Sequence, residues 1–121
     1  MRTSKGRSPS TRAAGAAAER RARRHYRLRG YRVLAQNARA AGYEIDLILR
    51  RGQRVVFCEV KQKSGEHYGD PAEMVTPEKQ RRLRRAAEAW LAGRRDLDGL
   101  EVTFDVVALT PRGLERIPDA L

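Results

Sequence analysis

The clearest pattern in the chain is a pair of apolar stretches, 44–50 and 54–61, separated by a short polar segment. Each stretch alternates between apolar and polar residues or is continuously apolar over about seven residues, which is typical of β-strands. Gly52 and Gln53 lie between the stretches and fit a two-residue turn. The pattern therefore predicts a β-hairpin.

This turn would place Arg51 opposite Arg54 and would fix the register of the whole hairpin. The same register places Asp46 directly opposite Glu59. Because side chains alternate along a strand, Glu59 and Lys61 point to the same face. We therefore expect two carboxylates and one lysine to converge.

The other face of the hairpin is expected to be buried, because its residues are apolar. They are Ile45, Leu47 and Leu49 from the first strand, with Val56, Cys58 and Val60 from the second. Cys58 is the only cysteine in the sequence, which excludes an internal disulfide. Its position on this face predicts a buried, inert thiol.

The remaining segments carry weaker signals. They predict a helix over 13–29 that ends at Gly30, a strand over 31–36, a loop over 38–43, a long polar loop over 62–75, a helix that begins at Thr76 and Pro77, a strand over 100–109 and a short last strand over 114–117. This order of elements predicts an α/β domain, in which helices flank a mixed β-sheet.

Both predicted helices have an apolar stripe. The stripe consists of Ala18, Ala22 and Tyr26 in the first helix, and of Leu83, Ala86, Ala87, Trp90 and Leu91 in the second. Residues spaced by three and four positions lie on one side of a helix, so we expect both stripes to pack on the sheet.

A length of 121 residues accommodates one domain. We assign residues 13–121 to this domain and residues 1–12, which are rich in Ser, Arg, Gly and Pro, to a disordered basic tail. No stretch is long and apolar enough for a membrane span or a signal peptide, so a cytoplasmic protein without a membrane partner is expected.

The net charge of +11 is confined to the first third of the sequence. Residues 1–40 contain twelve Arg or Lys and one acid, whereas residues 41–121 contain fourteen bases and fourteen acids. This asymmetry favours a polyanionic partner, with nucleic acid, and DNA in particular, as the expected one. A basic tail that only aids solubility or binds RNA nonspecifically would have the same composition.

Six basic residues are candidates for phosphate contacts because of their position on the helices or in the long polar loop: Arg20, Arg23, Arg24, Lys63, Lys79 and Arg82. A charged helix face is often simply solvated. Arg23 could instead pair with Glu19, four residues earlier.

The opposed carboxylates carry the chemistry, because they repel each other unless a cation lies between them. Asp46 and Glu59 offer the hard oxygen ligands that Mg²⁺ or Mn²⁺ prefers. Lys61 could orient a water molecule or stabilise a pentacovalent phosphate. The alternative is a solvated Glu-x-Lys pair, with Asp46 facing water at a sheet edge.

Several short blocks occur together in one order: Gly15, Glu19, Gly30, Tyr31, Asn37, the segment 44–48, the segment 57–61, Gly69, Lys79, Phe104 and Asp105. Over about residues 15–109 the chain thereby resembles the YraN family of small bacterial endonuclease-like proteins. That family is related to archaeal Holliday-junction resolvases within the PD-(D/E)xK nuclease superfamily. Two positions depart from its pattern, since Tyr43 stands where glycine is usual and Cys58 stands where valine is usual.

The resemblance implies a restriction-endonuclease-like core in which Asp46 and Glu59 bind the divalent metal and Lys61 assists the attacking water. It also implies that Glu19 approaches the same site from the first helix. Neither departure from the pattern removes a metal ligand.

We therefore hypothesise metal-dependent hydrolysis of phosphodiester bonds in nucleic acid, with DNA, including branched DNA, as the expected substrate. The first alternative is a nucleic-acid-binding protein that keeps the nuclease scaffold without turnover. The second is a subunit that is active only in a complex or as a homodimer.

Overall fold

The computed structural model describes residues 9–62 and 76–120, with side chains from Gly15 onward. Within these ranges lie α1 Pro9–Arg27, β1 Arg32–Ala40, β2 Tyr43–Arg51, β3 Arg54–Gln62, α2 Pro77–Ala92, a short 3-10 helix Arg95–Leu97, β4 Glu101–Thr110 and β5 Gly113–Ile117. The predicted fold class, a mixed sheet flanked by helices, is confirmed.

The five strands lie in the sheet in chain order. Neighbouring strands are antiparallel except for β3 and β4, which are parallel. Parallel neighbours need a connection that returns to the same end of the sheet, and α2 lies within that connection. β3, which carries Glu59 and Lys61, is the central strand of the five.

The core consists of two layers, one on each face of the sheet. Ala18, Ala22 and Tyr26 of α1 pack with Leu47, Leu49, Val56, Cys58, Val107 and Leu109, and we call this cluster the α1 layer. Leu83, Ala86 and Ala87 of α2 pack with Ile45, Ile48, Val55, Phe57 and Phe104, and we call this cluster the α2 layer. Neither helix of the described ranges is long and apolar enough to span a membrane.

The stripes predicted on both helices face the sheet, although Trp90 and Leu91 are only partly buried in the α2 layer. The rings of Trp90 and Phe57 pack edge to face, with their centroids 5.9 Å apart, which places Trp90 in the core as expected. Cys58 is fully buried, and this burial raises the pKa of its thiol. The thiol therefore stays protonated and unreactive at neutral pH.

The predicted hairpin register is confirmed from the pair of Arg51 with Arg54 to the pair of Leu47 with Cys58, but the predicted pair of Asp46 with Glu59 is not formed, because the ladder ends before it. The predicted start of α2 is also confirmed. Thr76 caps this helix, because its hydroxyl oxygen accepts a hydrogen bond from the backbone N of Lys79 at 3.2 Å.

The prediction that Ile45 shares a face with Leu47 and Leu49 is wrong. Ile45 packs in the α2 layer, whereas the two leucines pack in the α1 layer. The alternation breaks at Asp46, which pairs with neither neighbouring strand, and the residue across from it in β1, Asn37, has a φ of 51° in the left-handed region. Asparagine adopts this conformation more readily than most residues. β2 therefore changes face at the candidate metal ligand. A separate register shift in β1 lies between Val33 and Ala35.

Other element boundaries also differ from the prediction. β1 continues to Ala40, and the predicted loop over 38–43 is a two-residue turn of Ala41 and Gly42, both at positive φ. α1 begins at Pro9, four residues before the predicted start, because proline is well suited to the first turn of a helix. The rest of the predicted tail, 1–8, and most of the predicted polar loop, 63–75, lie outside the described residues.

A buried polar network joins α1 to the last two strands. Asp105 is 1% exposed, and its Oδ2 accepts hydrogen bonds from the Tyr26 hydroxyl at 2.7 Å and from Arg116 Nε at 3.0 Å. Its Oδ1 accepts a third hydrogen bond from the backbone N of Asp119 at 2.9 Å. A buried carboxylate with this many donors remains compatible with the core.

Candidate active site

The candidate site lies where β2 and β3 separate, at the end of the sheet opposite the hairpin turn. The β2–β3 pairing extends to Leu47 and Cys58, and Asp46 and Glu59 follow directly beyond it. The Asp46 carboxylate bridges the two strands here, because its Oδ2 accepts a hydrogen bond from the backbone N of Val60 at 2.8 Å. This hydrogen bond attaches the side chain of Asp46, a residue of β2, to the backbone of β3.

Glu59 is held between two partners. It is only 9% exposed, and its Oε1 accepts a hydrogen bond from the Tyr43 hydroxyl at 3.4 Å. Its Oε2 lies 3.4 Å from Lys61 Nζ. Glu59 and Lys61 therefore lie together, as the strand alternation predicts, and the lysine side chain remains 28% exposed to solvent.

The carboxylates of the site interact electrostatically. Burial and then the charge of Glu59 raise the pKa of Asp46 from 3.8 to about 7. Glu19 adds to this rise, while the hydrogen bond from Val60 and the charge of Lys61 oppose it. Asp46 is thus influenced by an acid on its neighbouring strand and by an acid on α1.

This raised pKa should make the stability of the metal-free protein depend on pH. Between about pH 4 and 7 the folded protein holds a proton on Asp46 that the unfolded chain releases, so the free energy of unfolding falls as pH rises. With a chelator present, we expect wild type to lose on the order of 2–4 kcal/mol relative to Asp46→Asn between these limits. Urea unfolding at several pH values measures the difference.

Glu44→Gln is the matched control for this experiment, because Glu44 lies on the same strand with an exposed side chain. Its pH profile should parallel that of wild type. If the Asp46→Asn profile is also parallel to wild type, Asp46 does not titrate in the way described.

The donors present at the site suit a hard divalent ion that keeps several external ligands. Across residues 9–62 and 76–120, no group of three or more His, Cys, Asp or Glu side chains is arranged to hold a metal ion. Asp46 and Glu59 offer two carboxylates, and Mg²⁺ is often bound by one or two carboxylates together with water and phosphate oxygens. Burial is the main cause of the raised pKa of Asp46, and the charge of Glu59 is the second cause, which a cation between the two carboxylates would offset.

Tyr43 is a site residue that the sequence analysis did not identify. It was noted only as a departure from the family pattern, yet it donates the hydrogen bond to Glu59. Burial and the charges of Glu59 and Asp46 raise the pKa of Tyr43 to about 12, so its hydroxyl stays protonated. In the sequence, its position three residues before Asp46 on the same strand was the signal that could have placed Tyr43 near the site.

The basic candidates on α1 differ in their surroundings. Arg20 and Arg24 are exposed. Arg23 donates through Nη1 to Gln36 Oε1 at 2.9 Å, and no ion pair joins it to Glu19 in the part of the chain that is described. The predicted alternative of an intrahelical pair is therefore not formed.

Two basic candidates, Lys79 and Arg82, lie on α2. Arg82 pairs with Glu78 at 2.7 Å, and its charge also counteracts the rise in the pKa of Tyr43. Lys79 is half-buried in the first turn of α2. Lys63 lies outside the described residues, so its predicted role has no structural counterpart here.

Comparison with known proteins identifies the family. The sequence model of one protein family, described as uncharacterised protein family UPF0102, matches residues 18–109 of this chain. A UPF0102 protein of Klebsiella pneumoniae is 43% identical over 107 residues, which cover 88% of this chain and 84% of the relative. A UPF0102 protein of Geobacter metallireducens is 44% identical over 94 residues, covering 74% and 76%. UPF0102 protein YraN of Escherichia fergusonii is 41% identical over 120 residues, covering 98% and 92%. The resemblance seen in the sequence is thus confirmed, and the chain belongs to the UPF0102 family that includes YraN.

Proposed function

We propose that this protein hydrolyses phosphodiester bonds of nucleic acid, DNA first among them, in a reaction that depends on a divalent metal. The observation that supports this proposal most is the placement of the Asp46 and Glu59 carboxylates at one strand opening, with Lys61 Nζ 3.4 Å from Glu59. Paired carboxylates beside a lysine are suited to phosphoryl chemistry.

Asp46 and Glu59 would hold Mg²⁺ or Mn²⁺. When bound, the ion supplies positive charge to the phosphate and lowers the pKa of water. The hydrogen bond from Val60 to Asp46 restricts one carboxylate, and the Tyr43 hydroxyl restricts the other. Ligands that are held in place before binding lose less conformational freedom when the ion arrives.

Lys61 supplies a compact charge that can reach a scissile phosphate. It is partly exposed and paired with Glu59, so its ammonium group is oriented at the edge of the site rather than buried in the core. There it would orient the attacking water or neutralise negative charge that develops on the phosphate. Glu19, whose charge influences Asp46 from α1, would accept a hydrogen bond from that water.

The charge distribution supports a polyanionic substrate. The excess positive charge lies in residues 1–40, and Arg20 and Arg24 are exposed on α1. Contacts from Arg20, Arg23 and Arg24 on one side, and from Lys79 and Arg82 on the other, would hold the strand. A cytoplasmic location and a homodimer that joins two such sites belong to the same proposal.

The experiment that tests this function is cleavage of linear, nicked and branched DNA and of RNA with Mg²⁺ or Mn²⁺. Lys61→Ala should reduce the rate at saturating substrate by about 10²–10⁴-fold, because it removes a charge aimed at the reacting phosphate. Arg81→Ala removes an exposed charge on α2 and should lower the rate at saturating substrate by less than about threefold. Equal rates for wild type and Lys61→Ala would place the chemistry elsewhere.

One observation favours a second candidate, a nucleic-acid-binding protein without turnover. Both oxygens of Glu59 already have protein partners, Tyr43 and Lys61, which an incoming ion would have to replace or share. Calorimetric titration with Mn²⁺ separates the two candidates. A pure binding protein would retain DNA binding without taking up the ion.

A further inference from the structure

A second charged cleft lies at the other end of the sheet, beside the hairpin turn. It encloses about 390 Å³ and is lined by Gly30, Arg32, Arg50, Arg51, Gly52 and Gln53. Arg50 lies in the cleft and Asp46 in the candidate active site, four residues away along β2. At about 3.3 Å per residue, the two sites are separated by about 13 Å.

The strand register places like charges opposite each other at this cleft. Arg32 pairs with Arg50 across β1 and β2, and Arg51 pairs with Arg54 across β2 and β3. Like charges directly opposite on neighbouring strands destabilise the sheet. An anion between the guanidinium groups would remove this repulsion.

The acids near the cleft are already paired with other arginines. Glu101 lies 3.2 Å from Arg54. Both oxygens of Asp96 are held by Arg94, at 3.0 and 2.9 Å. The hydrogen bond from Arg94 is the main cause that lowers the pKa of Asp96, and Arg50 contributes only a smaller part.

The three arginines that line the cleft have no such acid. Within residues 9–62 and 76–120, no ion pair includes Arg32, Arg50 or Arg51. Their positive charge is therefore not compensated by a carboxylate within ion-pair distance.

Two of these arginines are held in place by contacts that leave other N–H groups available. Arg51 donates through Nη1 to the carbonyl of Arg29 at 3.0 Å, and its guanidinium lies 4.6 Å from the ring centroid of Tyr31. Arg50 donates through Nε to the carbonyl of Gly52 at 2.9 Å. A guanidinium fixed in this way loses little freedom when it binds an anion bidentately.

Two glycines of the cleft have backbone conformations that favour glycine. Gly30 has a φ of 89° and Gly52 a φ of 59°, a region that other residues rarely adopt. A Cβ atom at Gly30 would approach Arg51 Cδ to 3.5 Å, so a side chain there would occupy space beside the guanidinium.

We propose that this cleft binds a phosphate group, with the paired side chains of Arg32 and Arg50 as its ligands. Planar guanidinium groups match the oxygens of phosphate, which also carries the charge that this cleft lacks. The group would come from a phosphodiester of nucleic acid or from free phosphate. Neither Asp46 nor Glu59 lines the cleft, so this inference does not depend on the proposed hydrolysis.

Nuclear magnetic resonance titration of the full chain tests the inference, with inorganic phosphate and the dinucleotide dTpdT as separate probes. We expect saturable shifts of the Arg32 and Arg50 Nε–H signals. Arg32→Gln and Arg50→Gln should each raise the dissociation constant by about tenfold, the usual effect of losing a charge-assisted hydrogen bond. Binding of dTpdT alone would identify nucleic acid as the source, and binding of inorganic phosphate alone would identify the free anion.

Two controls make the result specific. Arg81→Gln makes the same change of charge at an exposed position of α2, and this variant should bind both probes as wild type does. The backbone N–H signals of Val60 and Lys61 should not shift in metal-free protein, which separates this cleft from the candidate active site. The inference is overturned if neither probe saturates, or if Arg81→Gln weakens binding as much as Arg50→Gln.

Discussion

Asp46→Asn is expected to abolish both divalent-metal binding and phosphodiester hydrolysis, with a loss of rate of about a thousandfold or more. The substitution removes one of the two negative charges that would hold the ion. It retains the size of the side chain, and the amide oxygen can still accept the hydrogen bond from the backbone N of Val60. Single-turnover cleavage and calorimetry with Mn²⁺ measure the two losses.

Glu44→Gln is the control for this prediction as well, because it removes a negative charge from an exposed position on the same strand. It should retain activity and ion binding within about threefold of wild type. Asp46→Asn protein that stays folded and retains the activity of wild type would remove Asp46 from the chemistry. A loss of equal size in Glu44→Gln would show a general effect of charge.

The second large effect is expected for Asp105→Ala, which should lower the free energy of unfolding by about 3–5 kcal/mol. The variant would leave the Tyr26 hydroxyl buried without its acceptor and would separate Arg116 from its carboxylate. It would also leave the backbone N of Asp119 without its acceptor. Urea unfolding followed by circular dichroism measures this loss.

Glu88→Ala is the matched control, because Glu88 is exposed on α2. Its free energy of unfolding should stay within about 0.5 kcal/mol of wild type, as is usual for exposed positions. A loss below about 1 kcal/mol in Asp105→Ala would mean that the three hydrogen bonds contribute little to stability.

Local signals predicted much of the fold. The two residues between the hairpin strands fixed the pairing of Arg51 with Arg54, because a two-residue turn permits one register. Thr76 and Pro77 located the start of α2 within one residue, because capping depends on neighbours in the chain. The apolar stripes located the faces of both helices that pack on the sheet.

The change of face within β2 could not be predicted in the same way. It occurs at Asp46, across from the left-handed backbone of Asn37 in the neighbouring strand, and the alternation in β2 alone gives no sign of it. Strand alternation therefore assigned Ile45 to the wrong layer. Asp46 is also where the strands separate to form the candidate site.

Sequence spacing placed Glu59 and Lys61 together because they lie on one strand. The contacts of Tyr43 with Glu59, of Tyr26 with Asp105, and of the cleft arginines join residues that are distant in the chain or lie on different strands. Such contacts are set by the packing of the sheet and its helices, which no local pattern contains.

Anomalous diffraction from crystals soaked in Mn²⁺ tests the central claim most directly. We expect one strong manganese peak that contacts carboxylate oxygens of both Asp46 and Glu59. A manganese peak elsewhere, or no peak at either carboxylate at saturating Mn²⁺, would contradict the claim that these two side chains form a metal site.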